Sequence, residues 1–319
     1  MIAHRLPILS IVGPTAIGKT DVAIQISRRA PAEIISADSM AVYRGLNIGT
    51  AKPTDSQRRL ARFHCIDIAE PNERFSVAEF QRCAHAAIDG CTGRGHLPIL
   101  SGGTGLYVRA VLDGLSLACV PADERFRTAL REEADILGSQ RLHDRLQCVD
   151  PATAERVHPN DLVRIIRALE VWHATGRPLS LYIDRDRAER QPATAIRIGL
   201  RMSMDALDLR IVERVHRMYS MGLVREVEGL LARGISPDAP AMRALGYAET
   251  VAYLLRDSTH DECVAKVIKN TRRYARRQMT WFRSDKALHW LDIDQRDAEE
   301  TADTILDLYR ANLERSDTV

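Results

Sequence analysis

Leu6-Pro7-Ile8-Leu9-Ser10-Ile11-Val12 runs directly into Gly13-Pro14-Thr15-Ala16-Ile17-Gly18-Lys19-Thr20, and Val22, Ala23, Ile26 and Ala30 follow at helical spacing. The first run reads as a buried strand, the octet matches G-x-x-x-x-G-K-[ST], and the sequel reads as an amphipathic helix. That order brings backbone N–H groups and the positive end of a helix dipole to one point, where a phosphate group is held. In such a loop Lys19 reaches terminal phosphate oxygens and Thr20 offers its hydroxyl to Mg²⁺.

The first third alternates strand and helix. Strands are predicted at Leu6 to Val12, Glu33 to Ala37, His64 to Ile68 and Pro98 to Ser101, with helices at Lys19 to Arg29, Val77 to Gly90 and Leu106 to Leu112. The alternation predicts an α/β fold, a P-loop NTPase-like doubly wound parallel sheet whose ligands lie beyond the carboxyl ends of the strands. Strand signals then vanish. Phe126, Leu130, Ala134 and Leu137 are spaced for one helix; Asn160 or Asp161 can cap another, with Leu162, Ile165, Ile166, Leu169 and Trp172 as its apolar stripe before Gly176 and Pro178. The predicted organisation is a core over 1–118, a helical insertion domain over 119–194 and the rest of the core over 195–319. That last part holds returning strands at Ala195 to Met202 and Leu288 to Ile293.

With 45% hydrophobic and 28% charged residues, the composition is that of an ordinary globular protein. No apolar run approaches the ~20 residues needed to span a bilayer. The opening Met-Ile-Ala-His-Arg lacks a signal-peptide pattern, so a cytoplasmic protein is expected. Cys65, Cys83, Cys91, Cys119, Cys148 and Cys263 show no metal or disulfide spacing and read as reduced thiols. Net charge is only +2, but Lys266 to Lys286 holds eight basic residues and one acid, Asp285. Val264, Ile268, Ala275, Met279 and Phe282 form its buried stripe, leaving Arg272, Arg273, Arg276, Arg277 and Arg283 to project elsewhere among Tyr274, Gln278 and Trp281. This is either an RNA- or phosphate-binding face or a solvated helix.

A nucleotide hydrolase closes its Mg²⁺ site with an acid at a neighbouring strand end. Here Pro98-Ile99-Leu100 leads instead into Ser101-Gly102-Gly103-Thr104-Gly105-Leu106-Tyr107. Asp67 can substitute or can belong to an ordinary strand. The loop is therefore suited to holding a leaving group. Asp38, after Ile34-Ile35-Ser36-Ala37, stands at the active edge as either a general base or the cap of an Asx turn.

Taken together, these motifs resemble the tRNA dimethylallyltransferases over nearly the whole chain. The carriers are Gly13 to Thr20, Asp38-Ser39-Met40 with Val42-Tyr43-Arg44-Gly45, Ile48-Gly49-Thr50-Ala51-Lys52-Pro53, and Gly102 to Tyr107. In the second half they are Arg164 with Arg167-Ala168-Leu169-Glu170-Val171, Gly246-Tyr247, and Arg276-Arg277-Gln278 with Thr280-Trp281 and Arg283. The resemblance implies transfer of a dimethylallyl group from dimethylallyl diphosphate to N6 of the adenosine beside the anticodon, with Mg²⁺ as cofactor and diphosphate as leaving group. It implies Asp38 as base, Lys19, Thr20 and Arg214 as catalytic groups around the diphosphate, and a flipped target base. It implies tRNA anticodon stem-loop contacts from Asp38, Ser39, Met40, Ala41, Thr104, Arg127, Val163, Arg164, Arg167, Arg243, Gly246, Tyr247, Arg276, Arg277, Gln278, Thr280, Trp281 and Arg283, in a monomer.

Three positions depart from the family pattern: Ala41 and Val163 stand where Gln is usual, and Ala248-Glu249 follows Gly246-Tyr247 in place of Arg-Gln. All three lie in the RNA-facing set. An adenylate isopentenyltransferase acting on free nucleotide, a small-molecule kinase using ATP and a non-catalytic RNA-binding protein are the alternatives.

Overall fold

The computed structural model describes residues 6–115, 120–189 and 192–316; Cys119 and the opening pentapeptide lie outside them. Two compact units form, one of residues 1–112 with 193–319 and one of 113–192.

In the first unit β1 (Ile8–Val12), α1 (Lys19–Arg29), β2 (Ala32–Ser36), α2 (Asp55–Leu60), β3 (Arg62–His64), α3 (Val77–Gly93), β4 (Leu97–Gly102) and α4 (Gly105–Leu112) follow in order. The second unit holds α5 (Glu124–Leu137), α6 (Ser139–Val149), α7 (Pro151–Arg156), α8 (Leu162–Thr175) and α9 (Leu179–Glu189). The first resumes with β5 (Ala195–Arg201), α10 (Met204–Ser220), α11 (Leu223–Ala232), a 3₁₀ turn, α12 (Tyr247–Leu254), α13 (His260–Arg283), β6 (His289–Asp292) and α14 (Ala298–Ser316).

The sheet order is β3-β2-β4-β1-β5-β6, every pair parallel. Because alternate strand residues point to opposite faces, Ile8, Val12, Ile35 and Leu100 feed one apolar layer, and Leu9, Ile11, Ile34, Ile99, Ile198 and Leu200 feed the other. Both faces are buried, which is why these strands are nearly continuous apolar runs. β1 lies between β4 and β5; the chain leaves β1 for β2 on one side and leaves β4 for β5 on the other, and this divergence opens a crevice at the carboxyl ends of β1 and β4.

One strand departs from expectation. β3 covers Arg62–His64, not His64 to Ile68. Cys65 and Asp67 take positive φ, 61° and 57°, and the Asp67 and Ile68 N–H groups donate to Ala41 and Val42 carbonyls at 3.2 and 2.8 Å. The segment leaves the sheet to strap down the chain that follows Asp38.

The second unit packs Leu130, Leu142, Leu146, Ile165, Ile166 and Leu169 into its own core. Asp161 caps α8 by accepting the Arg164 N–H, and Gly176, at φ 68°, ends it.

Candidate active site

The phosphate loop turns between β1 and α1 with Ala16 and Gly18 at positive φ, 65° and 97°. The N–H groups of Ala16, Ile17, Gly18, Lys19 and Thr20 meet no acceptor among the described residues, which leaves a concave set of donors at the start of α1. Lys19 Nζ donates to the Gly13 and Pro14 carbonyls at 3.0 and 2.8 Å, arching over the loop. Desolvation lowers its pKa from 10.5 to about 7, helped by the Arg214 charge and opposed by Asp38. Arg214 of α10 is likewise lowered by desolvation, with Asp38 raising it. Asp38 therefore acts on both Lys19 and Arg214, which puts the three around a single site.

Asp38 follows β2 at the same edge. Its Oδ1 accepts the Met40 and Ala41 N–H groups at 2.8 and 3.2 Å, while no donor among the described residues reaches Oδ2. The Asx turn is thus present, and it aims rather than consumes the carboxylate. Ser39 N–H donates to Thr104 Oγ1 at 3.0 Å and Thr104 N–H to the Ala37 carbonyl at 3.1 Å, so the turn after β4 flanks Asp38 on both sides. Gly102 has to be glycine there, because a Cβ would lie 2.2 Å from the Ala37 carbonyl oxygen. Tyr274 of α13 completes the wall beside Thr104; burial, then the Asp38 charge, pushes its phenol up to about 12.

Asp67 is no metal-site acid in this arrangement. Its oxygens bind Lys52 Nζ at 2.6 Å and Arg58 Nη2 at 2.8 Å. Burial alone raises its pKa, but those two cations outweigh it and hold the carboxyl below its usual range. Lys52, buried, also donates to the Tyr43 carbonyl and anchors the chain after Asp38.

The residues expected to face RNA fall into two groups. On α13, Arg276, Arg277, Thr280 and Arg283 are exposed, together with Lys266, Lys269 and Arg273, and Trp281 is half-buried. The Arg277 guanidinium lies 5.9 Å from the centre of the Tyr274 ring. Arg243 is exposed, Val163 is 80% exposed and Arg164 pairs with its neighbour Asp161, at 3.2 Å. Ser39, Met40 and Thr104 are partly exposed.

The others are engaged within the protein: Ala41, Gly246, Tyr247 and Gln278 are buried, which corrects the expectation for those four, while Arg127 and Arg167 are partly exposed. Tyr247 is fully buried, its hydroxyl donating to Glu226 and accepting from Gly49 N–H at 3.1 Å. Gly246, also buried, starts α12 at φ 89° and donates to Glu249. Ala41 is buried under the Asp67 strap. Gln278 is buried with both ends of its amide bonded to backbone. Arg127 and Arg167 both bond Glu170, a buried carboxylate that also accepts the Asp123 N–H.

One site residue escaped the sequence reading. Arg210 Nη1 donates to the Ile17 carbonyl at 3.2 Å, one helical turn before Arg214 on the same face of α10. Its signal was the (i, i+4) spacing of two arginines on a helix that follows a strand.

The fold is a P-loop-like α/β sheet protein, and this edge of it sets a cradle of N–H groups near a carboxylate. The family model for IPP transferase matches residues 41–285, and the chain belongs to that family. The tRNA dimethylallyltransferase of Desulforudis audaxviator is 48% identical over 91% of this chain and 93% of its own length. That of Geobacter sulfurreducens is 45% identical over 90% and 92%. Among solved structures, the tRNA isopentenylpyrophosphate transferase of Bacillus halodurans is 40% identical with a TM-score of 0.72, covering 98% of both chains. Among the described residues no helix is long and apolar enough to cross a membrane.

Proposed function

We propose that this chain is a tRNA dimethylallyltransferase, moving a dimethylallyl group from dimethylallyl diphosphate to N6 of the adenosine beside the anticodon. The observation that carries the reading is the cradle of unpartnered N–H groups at the start of α1, with Lys19 and Arg214, both of which feel the Asp38 charge, beside it, in a chain of the IPP transferase family.

The cradle and the two cations oppose the charge that grows on a departing diphosphate. The N6 lone pair of adenine is delocalised into the ring and is a poor nucleophile, so a base lowers the barrier. Asp38, with Oδ1 fixed by the turn, offers Oδ2: as the N6–C1 bond forms and the C1–O bond breaks, the N6 proton passes to that oxygen and the bond electrons leave with diphosphate. No acid for activating a hydrolytic water is required. Mg²⁺ fits the donor set, because the Thr20 hydroxyl has no partner among the described residues and this ion takes few protein oxygens, completing its shell with phosphate and water. When bound it supplies charge neutralisation at the diphosphate.

The RNA side of the reading is supported by the exposed arginines of α13, with Val163, Arg164 and Arg243 as further contacts. The target base has to leave its stack to reach the donor. The protein acts as a monomer in this reading.

The test incubates the protein with Mg²⁺, labelled dimethylallyl diphosphate and either unmodified tRNA or AMP. Label in tRNA beside the anticodon supports the reading; label in AMP alone moves the assignment to a free-nucleotide prenyltransferase.

A further inference from the structure

We propose that Gln278 is a positioning residue that fixes the separation between the diphosphate cradle and the loop carrying Asp38. The inference rests on the reaction proposed above and extends it to a group that touches neither substrate.

Gln278 projects from the inner side of α13, opposite the exposed arginines. Its Oε1 accepts the Thr15 N–H at 2.8 Å and its Nε2 donates to the Gly103 carbonyl at 2.9 Å. Thr15 belongs to the phosphate loop after β1, and Gly103 to the turn after β4, the neighbouring strand. From Gly103 the connection continues through Thr104, which donates to the Ala37 carbonyl and accepts the Ser39 N–H, the residues on either side of Asp38. One amide thus ties the leaving-group site to the base. Pro14 has no N–H to give and the Thr15 N–H is taken by Gln278, so neither belongs to the anion cradle, which begins at Ala16. A chain of bonds this short sets a distance that thermal motion of two independent loops would otherwise blur, and misplacement by about 1 Å costs about 10²-fold in rate.

Gly103 supplies an independent handle. A Cβ there would lie 2.2 Å from Gln278 Nε2, so a methyl group at 103 and the bridging amide cannot coexist. Gln278→Glu separates the two ends: a carboxylate still accepts from Thr15 but cannot donate to the Gly103 carbonyl.

The experiment measures kcat, donor KM and tRNA Kd for wild type, Gln278→Ala, Gln278→Glu, Gly103→Ala and the double variant Gln278→Ala/Gly103→Ala. Each single variant is expected to lower kcat about 10²-fold with tRNA Kd within about twofold. The double variant is expected to be no slower than either Ala variant, because both remove the same bridge. Losses that multiply in the double variant, or a fall in tRNA affinity with kcat unchanged, overturn the proposal and return Gln278 to RNA binding. If Gln278→Ala fails to fold, the near-isosteric Gln278→Glu decides by the same readouts. An inactive wild type would instead sink the proposed reaction, so the two failures are distinguishable.

Discussion

Arg127 and Glu170 meet as a two-pronged pair, Nε to Oε1 at 2.7 Å and Nη2 to Oε2 at 2.8 Å, with the carboxylate only 1% exposed. Arg167 adds Nη1 to Oε2 at 2.6 Å, and the Asp123 N–H donates to Oε1 at 2.8 Å. Burial pushes the Glu170 pKa up, but these bonds outweigh it and hold the carboxyl below its usual range. The helical unit therefore hangs α5 on α8 through one satisfied buried charge.

Arg127→Ala removes two of the four bonds to that charge while Arg167 and the Asp123 N–H remain, and is expected to cost about 1.5–3 kcal/mol. Urea titration followed by helical circular dichroism checks this. A loss of tRNA affinity with no change in denaturation midpoint would mean that Arg127 contacts RNA directly.

Asp38→Asn keeps a side-chain oxygen for the Met40 and Ala41 N–H groups and so preserves the turn, but it removes the base. A kcat loss of about 10²–10⁴-fold with unchanged tRNA Kd is expected. Full activity in Asp38→Asn would leave the carboxylate with only its turn-forming role.

Lys19 titrates near 7 in the free protein because desolvation and Arg214 disfavour its charge. Below pH 7 the ammonium is present and attracts a diphosphate. Above it the charge is lost, and binding has to take up a proton. Donor KM is expected to rise toward about tenfold per pH unit above pH 7, with proton uptake visible by calorimetry in two buffers of different ionisation enthalpy. A donor KM flat from pH 6 to 9 would remove Lys19 from the diphosphate site.

Glu33, 2% exposed on β2, is ringed by Arg94 at 2.7 and 2.8 Å, His64 at 2.6 Å and His96 at 2.9 Å. The Arg94 bond comes first among the causes that lower its pKa from 4.5 to about 2, against the opposing effect of burial. The folded value lies below the unfolded one, so the stabilisation is complete above pH 4.5 and is lost as pH falls toward 2. About 3 kcal/mol rides on this group. Glu33→Gln is expected to flatten the acid limb of a stability-against-pH curve, and an unchanged limb would show that other carboxylates carry it.

Arg276→Ala with Arg277→Ala removes two exposed cations from α13. Weaker tRNA binding is expected, with the salt slope reduced by about 2 and donor KM unmoved. Nitrocellulose filter binding across a salt series gives the slope, and a change in donor KM alone would assign this face to the donor instead.

The phosphate loop, the placement of Asp38 at a strand end, the parallel sheet and the arginine face of α13 were legible from residue order, because each depends on contacts within a few residues or on a single period. Tertiary structure alone decided what several polar side chains would meet. Gln278 looked like part of an RNA surface, and Tyr247, Arg127 and Arg167 like tRNA contacts. Thr15 is 263 residues from Gln278, Gly49 is 198 from Tyr247, and Glu170 is 43 from Arg127. Helical periodicity states which side of a helix is inward, but a buried polar group has to be paired, and its partner comes from whichever distant loop the packing brings to it. The strand expected at His64 to Ile68 failed for the same reason: Asp67 found Lys52 and Arg58, and those bonds pulled an apolar alternation out of the sheet.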